Sequence, residues 1–281
     1  MRRRPVWPRR LADAAVKAAS VLAAALGLAM LAWILAVVLQ RGASALNWRF
    51  ITGMPVPPGA EGGGLANAIV GTFLVTLLAC VIGVPIGMMA GVYLAEFGAG
   101  RTLAALVRFL VNVMIGVPSI IIGLFVYTIV VLPAGHFSGW AGGVALSLLI
   151  LPVVARTTED MLALVPNPLR ESSLALGAPR WRTTLHIVFR AARSGLLTGV
   201  LLAVARISGE TAPLLFTALN SPYWPRSLSG PTANLTVTIF NYAMSPYPNW
   251  QRAAWGASFL ITLGVLALTV VSRALARERT R

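Results

Sequence analysis

Arg206 and Glu210 stand four residues apart in an otherwise apolar stretch, Ala205-Arg206-Ile207-Ser208-Gly209-Glu210-Thr211-Ala212-Pro213-Leu214-Leu215. On a helix, positions i and i+4 share one face, with Cβ atoms roughly 5–6 Å apart. A charge near the centre of a bilayer costs at least ~2.5–3.5 kcal/mol, so an arginine there needs a partner, a water-filled path or a ligand. A guanidinium offers bidentate donors that match the oxygens of an oxyanion. The pair therefore reads as an anion path, in which Glu210 holds Arg206 between passages and keeps the anion from being trapped. The competing reading is a structural ion pair that locks two helices.

Other chemistries find little support. Ser119 and Ser208 have no histidine near them in sequence. Glu159 and Asp160 are adjacent, so on a helix they do not face each other, and they read as a solvated pair at the end of a loop. Glu96 and Arg101 flank a turn, where solvation at helix ends suffices. Cys80 is the only cysteine, and His136 and His186 are far apart, so no metal-ligand cluster emerges. A phosphate-binding GxxxxGK[ST] loop needs a lysine, and the only one, Lys17, has no glycine beside it.

The elements that position the pair are membrane spans. The 281 residues are 57% hydrophobic and 11% charged, with a mean hydropathy of +0.79, against about 25% charged for a soluble domain. A net charge of +15 raises nucleic acid as a partner, but the basic residues lie between hydrophobic runs and form no basic face of a soluble fold. Six apolar segments are expected, at about 18–39, 67–94, 109–132 (with Pro118 inside), 139–155, 195–218 (with Arg206 and Glu210) and 253–273. The first is too long for the roughly 7–15-residue core of a signal peptide and is expected to remain as a span. With the N-terminus in the cytoplasm, 18 of the 23 basic residues fall on the cytoplasmic side. Only Arg41, Arg49, Arg226 and Arg252 fall outside, and this asymmetry places both termini inside.

Two loops carry further signals. Residues 217–252 contain Tyr223, Trp224, Tyr242, Tyr247 and Trp250, which suit a membrane interface, and 233–244 is expected to form a short helix at or dipping into the outer face. On the cytoplasmic side, Asn167 is a suitable N-cap, Pro168 a first helical residue and Glu171 a first-turn acid. Gly177 suits a helix stop. The resulting nine-residue helix, 168–176, is too short to be stable alone and must pack on the membrane domain or on a partner. A second helix is expected to start near Pro179. In the second segment Gly71, Gly83, Gly87 and Gly91 favour close packing, and a partner permease is one candidate for the other side. Pro118 marks a kink and a possible hinge beside the path.

Residues 171–187 resemble the coupling-loop signature of ABC importer permeases. Glu171 opens it, the small residues Ser172 and Ser173 take the usual alanine places, Gly177 follows at six and Ile187 ten later. Arg190 stands where the pattern closes on proline. The runs Gly116-Val117-Pro118-Ser119-Ile120-Ile121-Ile122-Gly123-Leu124-Phe125-Val126-Tyr127 and Gly209-Glu210-Thr211-Ala212-Pro213-Leu214-Leu215-Phe216-Thr217-Ala218, the latter preceded by Ala205-Arg206, are similar to the permease subunits of phosphate ABC importers. The similarity runs from about residue 65 to the C-terminus, after a family-like first span.

This resemblance implies an all-α integral membrane protein with six transmembrane helices and a MetI-like type I permease fold. Residues 1–64 would form the N-terminus, first span and first outer loop. Residues 65–275 would form the permease core with its coupling loop at 156–193, and 276–281 the tail. The chain would be no enzyme and bind no cofactor itself. It would pair with a PstC-like permease, a PstB-like ATPase dimer carrying ATP and Mg, and a PstS-like periplasmic phosphate-binding protein in the bacterial inner membrane, with membrane lipid around it. Arg206 and Glu210 would lie on the substrate path, and Glu171, Ser172, Ser173, Gly177 and Ile187 would couple to the ATPase. An oxyanion permease for molybdate or sulfate, a channel, and a membrane scaffold that regulates without transporting remain the alternatives.

Overall fold

The computed structural model describes residues 7–60 and 62–277. Arg2, Arg3, Arg4, Glu61, Glu278, Arg279 and Arg281, which enter the net charge, lie outside the described residues. All regular structure among the described residues is helical, with no strand. In order it forms α1 (Trp7–Ala43), α2 (Trp48–Thr52), α3 (Ala66–Val92), α4 (Thr102–Gly116), α5 (Ser119–Val126), α6 (Leu132–Ala134), α7 (Gly139–Ala163), α8 (Asn167–Ala175), α9 (Arg180–Thr183), α10 (Phe189–Ile207), α11 (Ala212–Leu215), α12 (Leu235–Ala243) and α13 (Pro248–Arg277). Three π-helical turns bridge neighbours without a break. Tyr93–Phe97 extends α3, Tyr127–Val131 joins α5 to α6, and Thr184–Val188 joins α9 to α10.

Five of these rods are long and apolar enough to cross a membrane, and α4 with α5–α6 makes a sixth if counted as one bent crossing. All six expected segments are present, and three differ in shape. The third bends by 104° between Gly116 and Ser119. Proline disfavours the helical conformation in the residue before it, and Val117 and Pro118 are both extended, with ψ of 128° and 136°. The fourth runs on to Ala163, well beyond residue 155, and within this extension Arg156 pairs with Asp160 at 3.2 Å across one helical turn. The fifth stops at Ile207 instead of 218. Pro213 has no N–H to give to residue 209 and its ring would clash there. Ser208 turns its hydroxyl back onto the carbonyls of Val204 and Ala205.

The central rod is α7, with more than half of its residues buried. Its main neighbour is α3, and the glycines of α3 explain the closeness. A Cβ at Gly87 would sit 2.7 Å from the Leu151 carbonyl oxygen, and one at Gly91 would sit 2.5 Å from both the Ala155 carbonyl oxygen and Thr158 Cβ. Small residues of this kind let backbones approach where lipid supplies no hydrophobic drive between helices. Gly83, Gly87 and Gly91 are thus used inside the chain, against α7, and Gly71 faces the Ala233 backbone just before α12. On the other side of the molecule α1 rests on α13, where Gly42 meets Phe259 and Trp255 and the Arg41 guanidinium lies 5.2 Å over the Trp255 ring.

Candidate functional site

Arg206 occupies the last turn of α10, where a cation complements the helix dipole. Its side chain is exposed, and Glu210 is half-buried. The two form no ion pair. The helix ends between them, so the one-turn geometry expected from the sequence does not arise. Among the described residues, nothing accepts a hydrogen bond from the Arg206 guanidinium. Glu210 is instead tied through its backbone, its carbonyl accepting from the Thr236 hydroxyl of α12 at 2.8 Å. The result is a five-donor cation at the mouth of an unwound stretch, Ser208 to Thr211. Non-helical backbone at membrane depth is tolerated only where protein buries it or water lines it, and a guanidinium so placed can take an oxyanion by two parallel hydrogen bonds.

The elements beyond the break are tightly fixed. α11 packs on α5 at Gly123, where a Cβ would lie 2.6 Å from Pro213 Cα. The two interrupted helices, α4–α5 and α10–α11, therefore meet just past their interruptions. The turn that follows α11 reaches Leu219, whose φ of 57° is the left-handed conformation that glycine usually takes. Its N–H bonds to the Leu214 carbonyl at 2.9 Å, and its carbonyl accepts from Asn234 Nδ2 at 3.1 Å. Asn234 is fully buried, and its Oδ1 also caps α12 through the Val237 N–H at 2.9 Å. Sequence reasoning passed over Asn234, although an asparagine before the apolar run Leu235–Ala243 is a cap signal. Asn234→Ala is expected to cost about 2 kcal/mol, above the ~1 kcal/mol of an exposed cap, since buried donors lose their partner. A lower melting temperature of the purified chain in detergent is the check, and an unchanged one would refute this account.

The second cluster lies at the opposite end of the rods, around α8. Glu171, Ser172, Gly177 and Ile187 are exposed, and Ser173 is half-buried with its hydroxyl 2.9 Å from that of Thr183. The helix starts one residue earlier than expected, with Asn167 inside it and Pro166 at the cap. Gly177 ends it as expected. It adopts a φ of +81°, its N–H reaches the Leu174 carbonyl at 2.9 Å, and the Ala178 N–H reaches that of Ser173. Leu176, just past the end of α8, is 88% exposed, and Trp181 of α9 58%, an apolar surface beside a helix that is too short to stand alone.

Two ion pairs near α8 correct the sequence reading. Glu96 is no solvated helix-end residue. It is 10% exposed and takes the Arg170 guanidinium at 2.7 Å. Glu159 is 12% exposed, not solvated, and receives Arg108 of α4 at 2.6 Å, with Arg156 3.6 Å away. Only Asp160 of that acidic pair is open to solvent. Arg170 and Arg108 lie more than 50 residues from the carboxylates they grip, beyond any local spacing rule.

Residues 83–278 match the family described as "Binding-protein-dependent transport system inner membrane component". The chain is 50% identical over 272 residues to the phosphate transport system permease protein PstA of Yersinia pestis, covering 97% of this chain and 92% of that protein. It is likewise 50% identical to the PstA of Haemophilus influenzae over 254 residues, 90% of each. Among solved structures it is similar to a chain of the MetNI methionine ABC transporter in an inward-facing conformation, with a TM-score of 0.61, 20% identity and 83% of this chain covered, 97% of that one. It is similar also to a chain of a bacterial ABC transporter that imports the acidic polysaccharide alginate, with a TM-score of 0.62, 14% identity and coverage of 97% and 100%. The fold is thus all-α and MetI-like. With most of its length matched both by the family and by relatives of this identity, this multi-pass membrane chain belongs to the inner membrane components of binding-protein-dependent transport systems.

Proposed function

We propose that the chain is a transmembrane subunit of an ATP-driven importer of inorganic phosphate, sited in a bacterial inner membrane with both termini in the cytoplasm. The observation that carries this reading is Arg206, a guanidinium without a partner among the described residues, at the break between α10 and α11. Arg193 and Arg206 are separated by thirteen residues of α10, a rise of roughly 20 Å. With Arg193 at the inner boundary of a ~30 Å hydrocarbon core, Arg206 stands about two-thirds of the way across. The names of the relatives support phosphate as the anion, and the excess of basic residues at the α8 end supports the orientation.

Transport proceeds by alternating access. The PstS-like binding protein delivers phosphate at the far end, where a cavity of about 540 Å³ is lined by Asn47, Tyr242, Trp250 and Arg252 among others. The anion passes along Arg206, and the half-buried Glu210, four residues on in the chain, repels it and prevents trapping. Polar groups of the PstC-like permease complete the path. On the cytoplasmic side the exposed residues Glu171, Ser172, Gly177 and Ile187, with Ser173 behind them, dock on the PstB-like ATPase, which holds ATP and Mg. Closure of the ATPase moves α8, and the bend at Pro118 serves as hinge.

The test is uptake by the assembled complex in liposomes, with binding protein outside and ATP inside, offered labelled phosphate, sulfate or molybdate in turn. Phosphate alone is expected to accumulate. Accumulation of sulfate or molybdate in its place would assign a different oxyanion, and no accumulation with the ATPase bound would leave a scaffold.

A further inference from the structure

The guanidinium of Arg170 is the most heavily bonded cation among the described residues. Nε and Nη2 both reach the Glu96 carboxylate, at 2.7 Å for the closest contact. Nη2 also donates to the Leu162 carbonyl at 2.7 Å, and Nη1 to the carbonyl of Val165. Both side chains are largely buried, at 17% and 10% exposure. Three elements thus converge on one side chain. Arg170 belongs to α8, Leu162 to the last turn of α7, Val165 to the short turn after it, and Glu96 to the π-helical turn that ends α3.

The course of the chain beyond Glu96 gives this convergence its meaning. It turns at once through Gly98–Arg101 into α4, whose Arg108 grips Glu159 of α7. α4 leads to the bend at Val117–Pro118, and α5 beyond it packs on α11 next to the Arg206 break. Two connections lead from α8 to the interrupted helices: the chain itself, through α9 into α10, and the bidentate ion pair with the four-residue turn, which leads into α4. A buried ion pair is weak evidence for stability, because apolar replacements often hold a fold as well, and fixing position is its better-attested use. π-helical turns are frequent at functional sites. The turn that carries Glu96 also holds a buried hydroxyl, Tyr93 Oη, without a hydrogen-bond partner, a group that calls for an explanation other than plain packing.

Resting on the reading of the chain as an ATP-driven importer, we propose that Arg170 and Glu96 form the rigid link through which movement of α8 reaches α4 and the bent crossing. Arg170 is a positioning residue. It touches neither the transported anion nor ATP, and it acts by keeping α8 and the π-helical turn moving as one body.

The experiment uses the whole complex in liposomes and reads ATP hydrolysed per anion imported. In Glu96→Gln and Arg170→Gln the ATPase is expected to stay bound while this ratio rises about tenfold, inside the usual range of a coupling between sites. A Glu96→Cys/Arg170→Cys pair in a Cys80→Ser background, bridged by a reducible bis-methanethiosulfonate, is expected to transport at the unaltered rate and to lose coupling once the bridge is reduced. This arm compares one assembled protein with itself, so it decides the matter even where a glutamine variant fails to assemble. Arrest by the bridge, or full coupling after its reduction, would overturn the proposal. If the unaltered complex imports no phosphate, the substrate reading fails separately. The link is then read from hydrolysis stimulated by the loaded binding protein, expected to become independent of that protein when the link is cut and overturned if stimulation survives.

Discussion

Replacing Arg206 by glutamine is expected to lower phosphate uptake by roughly 100-fold, the order reached when a hydrogen-bonded charge pair loses one partner, while the ATPase is still recovered with the complex. Glutamine keeps the length and some donors but removes the charge. The anion at this depth is then left in a low-dielectric path without a counter-charge, and that penalty dominates. Arg206→Lys is a second reading of the same position. Lysine keeps the charge and loses the planar fork, so a loss of roughly tenfold is expected, between the unaltered chain and the glutamine variant. Because the Arg206 side chain has no partner among the described residues, neither change removes an internal bond, and the amount of folded protein should stay constant. Uptake at the unaltered rate in Arg206→Gln would reduce this arginine to a cap on the end of α10 and leave the anion path to the partner permease.

The second large effect concerns stability. Gly91→Leu places a Cβ 2.5 Å from the Ala155 carbonyl oxygen and from Thr158 Cβ, separations that force backbones apart. Overpacking of a soluble core typically costs about 1–3 kcal/mol, occasionally more. In a bilayer the displaced helices do not regain contact by hydrophobic drive, so the upper end is expected. Gly27→Leu in α1 is the matched control, since nothing lies within 4 Å of a Cβ there. The Gly91 variant should accumulate poorly in membranes and melt well below the unaltered chain in detergent, and the Gly27 variant should melt with the unaltered chain. Equal melting of the two variants would mean that α3 and α7 slide past each other more freely than their spacing suggests.

The spans and the short helix α8 were legible in the sequence because both rest on local rules. Apolar length marks a crossing, and Pro168 and Gly177 punctuate a helix. Pro118 announced a kink but not a bend of 104°, whose size is set by what α5 packs against. Arg206 was legible as a charge in an apolar run, yet its geometry with Glu210 was misjudged. The helix period was carried through Ser208-Gly209, and the stop imposed by Pro213 was not weighed. The glycine row of α3 was recognised without its partner, because small residues advertise an approach and not the surface approached. Glu96–Arg170 and Arg108–Glu159 were out of reach, since burial of a charge with a distant partner leaves no periodic trace.

The way α1 is held has a consequence for how the protein is made. Its principal neighbour is α13, about 200 residues further along a chain that is synthesised from the N-terminus. When α1 leaves the ribosome, the helix that will hold it does not yet exist. It must enter the bilayer as a lone span and wait there through five further insertions. It is the most apolar of the five straight rods, and no residue of its most apolar window is buried in the finished chain. That is the composition of a segment selected to be at home in lipid without company. The contact between Gly42 and Phe259 is then among the last to close during biogenesis, and a defect in α13 should leave α1 inserted but unclasped.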